Sequence, residues 1–287
     1  MTSPGTARLL WSVAEPFHAL TYFADEAAAA FDAAGLRGFW SGYFAGRAAP
    51  LGAVGPEVVT ATFVNFAPDF VARRVPAVWA AVTPAAALEA RLSGVDGAIR
   101  RVLGEEWTTS DHAVEAMELA ATAAAAVDVP GRPLAAANTA VVVPGEPHLV
   151  LWQALTTLRE HRGDGHTVAL VAREVDGVQA HVLAAAAGRS DRAWLQKARG
   201  WDDDAWDDAE RRLADRGWLD GGALTAQGLA MVTAIEADTD RLALGPWQAL
   251  GAQGCDRLAE LLRPVRRAVV AAGHWPVGNP IGVSDPD

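Results

Sequence analysis

Residues 147–182 read PHLVLWQALTTLREHRGDGHTVALVAREVDGVQAHV, and the remaining segments of the chain are compared with this stretch. Its middle, residues 159–166, is called the polar cluster below. Apolar sequence with helical spacing flanks the polar cluster on both sides, so its charges form either a paired structural network or a site. Six of its eight positions carry ionisable side chains: Arg159, Glu160, His161, Arg162, Asp164 and His166.

Residues typical of helix ends stand at both ends of the first part of this stretch. Pro147 suits the first turn of a helix, and no glycine or proline interrupts residues 148–162. Gly163 is typical of a helix end, and Gly165 permits a further sharp change of direction. The sequence therefore predicts a helix over 148–162, a tight turn around Asp164, and a second helix that begins near His166.

Two stripes run along the predicted helix. One is apolar and faces a core. The other carries His148, Trp152 and Arg159 at i, i+4 and i+11, which is suitable for the wall of a pocket. The alternative is a core helix whose polar end reaches water.

Three more candidate ligand contacts precede this helix. A helix over 6–34, broken early at Pro16, places His18 and Tyr22 on one face together with Glu15. Glu-x-x-His also occurs in di-iron bundles, but a bundle of that kind needs a second copy. Arg47 lies among apolar neighbours and needs a partner if it is buried.

Most of the remaining chain has helical spacing, including residues 84–103 and 110–127. Residues 139–143 are the one strand-like run outside the C-terminal half, and we expect them to be extended and unpaired. Gly131-Arg132 echoes Gly46-Arg47, since each precedes a proline and an apolar helix. This echo suggests a duplicated helical unit, with the polar cluster in the second copy only.

Composition excludes several classes of protein. The chain has 287 residues and a formal net charge of −11, which disfavours a general binder of nucleic acid or anionic membranes. No apolar run is long enough to span a bilayer. The single cysteine, Cys255, excludes an internal disulfide and a cysteine-rich zinc site. The N-terminus lacks a signal-peptide pattern, so we expect a cytoplasmic protein.

From Asp176 the pattern changes to short helices. We predict helices over 177–187 and 191–199, the second capped by Ser190, and a third over 202–216. Two short strands follow within 218–224. A long helix then begins after Thr225. Residues 176–245, called the winged segment below, resemble the winged helix-turn-helix of the MarR family.

The third helix of such a fold enters the major groove of DNA. Here it begins Asp202-Asp203-Asp204 and continues with Asp207, Asp208 and Glu210. An acidic leading edge repels phosphates, and the wing carries no lysine or arginine. We therefore expect the winged segment to pack within the fold, and we do not expect duplex DNA to be its partner.

Nearly the whole chain resembles the SalK-like family of actinobacterial proteins, found near natural-product gene clusters. This resemblance implies an architecture and candidate residues but no reaction. One departure is Gln179, where the family pattern has glutamate; a catalytic base at that position would be weakened here. The resemblance rests on Glu15-Pro-Phe-His18, Gly38-Phe-Trp40, Tyr43-Phe44, Arg47-Ala-Ala-Pro-Leu-Gly52, Pro147-His148, Leu151-Trp152 and Leu158 to His166.

The expected fold is all-α: a helical domain over 1–175, a winged helix-turn-helix over 176–245, and a C-terminal helix with an extended tail from Gly273 over 246–287. Three classes of function stay open. The first is a small-molecule-binding protein or enzyme with a pocket between the helical domain and the winged segment. The second is a ligand-responsive regulator. The third is a structural or interaction protein. A homodimer fits each class.

In the first class, His161 or His166 would act as acid or base, oriented by Glu160 or Asp164. Arg159 or Arg162 would bind an anionic group. A metal held by His161, Asp164 and His166, with His148 or His181 as a fourth ligand, is a minor alternative because the spacing matches no standard signature. We predict no resident metal and leave any cofactor undefined.

Overall fold

The computed structural model describes residues 1–275. The predicted extended tail from Gly273 lies almost entirely outside the described residues. Within them the fold is all-α apart from one small hairpin, as the sequence predicts. The first ten α-helices are α1 (Pro4–His18), α2 (Leu20–Phe23), α3 (Asp25–Ala33), α4 (Phe39–Ala48), α5 (Pro56–Thr62), α6 (Pro68–Ala72), α7 (Val75–Ala81), α8 (Pro84–Leu103), α9 (Asp111–Ala124) and α10 (Pro133–Thr139).

The second half contains a long central helix, the winged segment and a long C-terminal helix. Short 3-10 helices occupy Ala49–Leu51 and Glu106–Thr109. The elements of the second half are α11 (Pro147–Val171), α12 (Gly177–Ala186), α13 (Arg192–Arg199), α14 (Asp203–Asp215), β1 (Leu219–Asp220), β2 (Ala223–Leu224), α15 (Ala226–Leu242) and α16 (Gly245–Ala271).

Helix α11 lies at the centre and packs against α1, α8, α9, α10 and α15. The predicted turn at residues 163–165 is wrong, because α11 continues through both glycines without a positive φ. Gly165 serves close packing instead: a Cβ there would lie 2.8 Å from Nη1 of Arg132 and 3.2 Å from Cβ of Leu242. The polar cluster is therefore one continuous helical surface, and its side chains point in different directions.

The N-terminal helices also differ from the prediction. Pro16 lies inside α1, and the predicted long helix is interrupted instead at Ala19 and at Ala24, whose backbone is extended. The two Gly-Arg segments differ locally, since Arg47 lies in the last turn of α4 whereas Arg132 precedes α10. Residues 141–143 belong to no strand, as expected, while Thr139 ends α10.

The winged segment forms as predicted, with one change of cap. The side chain of Asp191, not Ser190, accepts the hydrogen bond from the backbone of Trp194 at the start of α13. Asp202 caps α14 and Thr225 caps α15 in the same way. Strands β1 and β2 pair antiparallel and form the small wing.

The described residues form three large hydrophobic cores and a small cluster around Ala19 and Trp275. The largest joins α1, α8, α9, α11 and α16. A second, rich in phenylalanine, lies among residues 31–90 with Leu134. The third fills the winged segment around Trp206 and Trp218 and reaches α11 at Leu170. In the part of the chain described here, no helix is both long and apolar enough to cross a membrane.

Candidate functional site

A cavity of about 370 Å³ opens between α11 and the winged segment. Its size falls within the range of small-molecule sites in proteins. Its walls come from α1, α4, α11, α12, α13, α15 and the segment between α5 and α6. The polar side chains that line it are Arg8, Tyr43, Arg47, Thr62, Asn65, Arg159, Arg162, His166, Thr167, His181, Arg189, Ser190, Arg199 and Glu236.

Helix α11 supplies one continuous stripe of this wall. Arg159, Arg162, Gly163, His166 and Leu170 follow i, i+3, i+4, i+7 and i+11, so they lie on one face. The predicted stripe included Arg159 but continued toward the N-terminus of the helix. The observed stripe runs the other way, through the glycine that was expected to end the helix.

Six arginines line the cavity, whereas Glu236 is the only carboxylate among its lining residues. Five of the arginines are paired. Arg8 and Arg162 both contact Asp240, at 2.7 and 2.8 Å. Arg189 contacts Glu236 at 2.8 Å. The cavity wall is therefore rich in cations even though the whole chain is acidic.

Glu160 pairs with the other two of these five arginines. Arg47 donates two hydrogen bonds to its carboxylate, both at 2.9 Å, and Arg159 donates a third at 3.0 Å. Burial favours the neutral acid, but the two guanidinium charges outweigh it and hold the pKa of Glu160 well below its ordinary value. Glu160 is thus a fixed anion that orients two cavity arginines, whereas the sequence predicted that it would orient a histidine.

Arg159 also binds Glu15 at 3.2 Å. Burial raises the pKa of Glu15, although the charge of Arg159 opposes the shift. Burial lowers the pKa of Arg159, but Glu160 and Glu15 more than offset it and raise the pKa overall. Arg159 therefore stays charged on the cavity wall, where the sequence placed an anion-binding residue.

Arg199 is the sixth arginine, and it has no carboxylate partner among residues 1–275. Its Nε atom is buried without a hydrogen-bond partner, and its guanidinium lies over the ring of Phe66, 4.7 Å from the centroid. Burial lowers its pKa, and the charges of Arg47 and Arg159 act in the same direction. An uncompensated guanidinium of this kind is costly to bury.

The tautomer of His166 follows from its contacts. Oγ1 of Thr239 donates to the carbonyl of Ile235 at 2.8 Å, so it accepts from Nδ1 of His166 at 2.9 Å. Nε2 then carries a lone pair and has no partner among the described residues. Burial and Arg162 lower the pKa of His166, although Glu236 opposes them. His166 therefore presents a neutral imidazole to the cavity, and its predicted acid–base role stays a prediction.

A second histidine, His181, lines the opposite wall from α12. Its Nε2 donates to the carbonyl of Asn65 at 2.9 Å, and Nε1 of Trp201 donates to the same carbonyl at 3.0 Å. Burial lowers the pKa of His181 to about 4. The sequence considered His181 only as a metal ligand and missed its place in the cavity.

His18 and Tyr22 lie in a separate small space beside the main cavity. Oγ1 of Thr156 donates to the carbonyl of Trp152, so Nδ1 of His18 donates to Thr156 at 3.0 Å and the Tyr22 hydroxyl donates to Nε2 of His18 at 3.3 Å. Trp152 stacks on His18. His18, Tyr22 and Thr156 form a hydrogen-bonded network next to Arg47, and none of the three lines the main cavity.

Two further ionisable members of the polar cluster, like Glu160, do not line the cavity. Oδ2 of Asp164 accepts from the backbone of Ala135 at 2.9 Å, which ties α11 to the first turn of α10. His161 is buried with no partner for Nε2, and burial lowers its pKa to about 4. The predicted convergence of four residues on one cavity is therefore wrong for Asp164 and His161, because the helix does not turn at Gly163.

His148 is also remote from the cavity. Its Nε2 contacts Asp96 at 2.6 Å, and the ligand atoms of Asp96, Glu146 and His148 lie within 4.8 Å of one another. Arg100 donates to the same oxygen of Asp96 at 2.8 Å, which would compete with a metal ion. The alternative metal set of His161, Asp164 and His166 is not brought together in the described residues.

Gln179 lies in a capping box rather than in the cavity. Its side chain accepts from the backbone of Asp176, and the Asp176 side chain accepts from the backbone of Gln179. Glutamate and glutamine serve equally at this position of a capping box. Gln179 therefore has a capping role that a glutamate at the same position could also fill.

Helix α14 presents acidic side chains to solvent. Asp203, Asp204 and Asp207 are exposed, while Trp206 and Leu213 turn into the core of the winged segment. The nearby arginines are already paired with these acids. They pair as Arg192 with Asp203 and Asp207, Arg211 with Asp208, and Arg212 with Asp208 and Asp176.

Comparison with known proteins gives one match. A family model described as a helix-turn-helix family matches residues 7–276. No curated protein and no solved structure matches the chain.

Proposed function

The chain belongs to this helix-turn-helix family, and from that premise we propose that it binds a small anionic molecule in the cavity between α11 and the winged segment. The observation that carries the proposal is the lining itself: six arginines, two neutral histidines and one carboxylate around about 370 Å³. Guanidinium groups on several converging elements are suited to carboxylates and phosphates.

The position of the cavity supports this proposal. It lies where the helical region meets α12, α13 and α15, so a ligand would contact both parts. Junctions of this kind are common ligand sites. The resemblance to SalK-like proteins further favours a ligand from natural-product metabolism.

Enzymatic activity is an extension of the same proposal. His166 is the predicted acid–base residue that lines the cavity, and its Nε2 lone pair is available to accept a proton from a bound molecule. Arg159 and Arg162 flank it on the same face of α11. Glu160 and Asp164 have structural contacts instead, and His161 does not line the cavity, so His166 alone retains the catalytic role in this proposal.

A ligand-responsive regulator is the second candidate, favoured by the helix-turn-helix family match. Helix α13 of the winged segment contributes Arg199 to the cavity, which offers a physical connection between a ligand and that segment. The acidic surface of α14 argues against duplex DNA as the partner. The MarR-like assignment, a homodimer and a cytoplasmic location stay predictions from the sequence.

The experiment is a thermal-shift screen of the purified protein against small carboxylates, small phosphates and their uncharged analogues. We expect anionic compounds to raise the melting temperature and uncharged analogues to leave it unchanged. Ala184 lines the cavity, so Ala184→Trp should abolish the shift. The matched control is Ala230→Trp, at an exposed position of α15. Equal shifts with uncharged analogues, or a retained shift in Ala184→Trp, would overturn the proposal.

A further inference from the structure

We propose that Arg199 is the docking point for an oxyanion of the ligand, a carboxylate or a phosphate group, held against the end of α13. This inference rests on the proposed function of the cavity and makes it specific. It follows from three features of Arg199: its lack of a counter-ion, its fixed position, and its neighbours.

The first feature is the missing counter-ion. Four carboxylates, Glu15, Glu160, Glu236 and Asp240, pair with the other five cavity arginines. None of them lies within ion-pair distance of Arg199. Its Nε is buried without a partner, and only 9 % of the residue is exposed. A buried guanidinium with no internal anion is the group in this cavity that gains most from an external one.

The second feature is that the backbone fixes Arg199 before any ligand arrives. Its carbonyl accepts from the backbone of Ala67 at 2.9 Å, which joins α13 to the segment between α5 and α6. Gly200 follows with φ +79°, and a Cβ at Gly200 would lie 2.3 Å from the Phe70 ring. The guanidinium lies over the neighbouring Phe66 ring. A pre-positioned arginine loses little conformational entropy when it binds an anion.

The third feature is the neighbouring hydroxyl of Tyr43. Tyr43 accepts from Nη1 of Arg47 at 3.2 Å, and its own hydrogen has no acceptor among the described residues. The Tyr43 ring packs against the Phe66 ring, with 5.5 Å between centroids, and the Arg199 guanidinium lies over that same Phe66 ring. Arg199 and Tyr43 are therefore neighbouring donors on one wall. Their charge and geometry suit an oxyanion, which accepts bidentate hydrogen bonds from a guanidinium.

The cavity walls away from Arg199 indicate the chemistry of the remainder of the ligand. Phe63, Leu170, Leu195 and Ala184 provide apolar surface in the same cavity. A compact anionic head with an uncharged, partly apolar body therefore fits both the arginine and the remaining volume. Benzoate and phenyl phosphate represent the two anion chemistries, and benzamide is the uncharged analogue.

The test is isothermal titration calorimetry of these three probes against the full chain and its variants. We expect one or both anions to bind, benzamide not to bind, and Arg199→Met to weaken anion binding about ten- to a hundred-fold. Arg199→Lys keeps the charge without the bidentate geometry, so its affinity for the anions should lie between those of the wild type and Arg199→Met. The preferred anion tells whether the ligand is a carboxylate or a phosphate. Arg211→Met, at an exposed paired arginine of α14, is the control.

Stability separates this role from a structural one. Removing an uncompensated buried charge should leave the melting temperature of ligand-free Arg199→Met equal to that of the wild type or raise it. Undiminished anion binding in Arg199→Met, together with loss of binding in Ala184→Trp, would overturn the Arg199 assignment and leave the cavity function intact. Failure of both anions to bind the wild type would overturn the assignment as well.

Discussion

Oδ2 of Asp164 lies 2.9 Å from the backbone nitrogen of Ala135, and this hydrogen bond joins the central helix to the first turn of α10. Among residues 1–275 the carboxylate has no arginine within ion-pair distance. Burial raises its pKa from 3.8 to about 6, against the opposing effect of the backbone hydrogen bonds. Asp164 thus has a structural role in the polar cluster, and its contribution to stability can be measured as a function of pH.

For Asp164 the folded-state pKa exceeds the unfolded-state value, so the folded protein binds this proton more tightly. Its contribution to stability is full below about pH 4 and is lost as the pH rises through about 6. Denaturant unfolding measures the free energy of unfolding of the wild type and of Asp164→Asn. Between pH 4 and pH 7 the wild type should lose about 2 kcal/mol of stability relative to Asp164→Asn. A pH-independent difference would contradict the raised pKa.

The two glycines of α11 should respond oppositely to alanine. At Gly163 the nearest atom to an added Cβ is Oε2 of Glu160 at 3.5 Å, so Gly163→Ala should stabilise the helix by about 0.5–1 kcal/mol. At Gly165 the added methyl would meet Arg132 and Leu242, so Gly165→Ala should cost about 1–3 kcal/mol. Chemical denaturation measures both. Strong destabilisation by Gly163→Ala would indicate a turn there instead of a continuous helix.

Glu160 is expected to be essential for stability rather than for chemistry. Glu160→Gln leaves Arg47 and Arg159 without their shared anion, and we expect a loss of about 3–5 kcal/mol in the free energy of unfolding. Glu105→Gln removes an exposed partner of Arg100 and is the control, with a change within about 0.5 kcal/mol. A Glu160→Gln protein as stable as the control would show that the buried cluster is not what holds α4 to α11.

The acidic face of α14 predicts poor DNA binding. Fluorescence anisotropy with duplex DNA from the region upstream of the protein's own gene should show no sequence-selective complex between about 50 and about 200 mM salt. The variant Asp203→Lys, Asp204→Lys, Asp207→Lys reverses three exposed charges and should acquire salt-sensitive, non-selective binding. A tight, selective wild-type complex would favour the regulator instead.

Local signals in the sequence were sufficient for the winged segment. Asp202 and Thr225 cap their helices within three residues, and the wing follows from a Gly-Gly turn between two short apolar segments. These features depend on neighbours in sequence, which is why they could be predicted. The shift of the α13 cap from Ser190 to Asp191 is a one-residue error of the same local kind.

Long-range contacts explain what could not be predicted. Gly165 signalled a turn, but Arg132 and Leu242, distant in sequence, approach it and require a small residue inside a helix. Arg47 needed a partner, yet nothing local indicates that Glu160, 113 positions away, is that partner. Arg199 carries no local signal for a cavity residue, because only the docking of α13 on residues 65–67 places it there.

The most direct measurement of the central claim is anomalous diffraction from crystals soaked in selenate, a tetrahedral oxyanion with a strong selenium signal. We expect a peak inside the cavity within hydrogen-bonding distance of the Arg199 guanidinium, and loss of that peak in Arg199→Met crystals. Peaks confined to arginines on the outer surface, with none in the cavity, would contradict the claim that this cavity binds an anion.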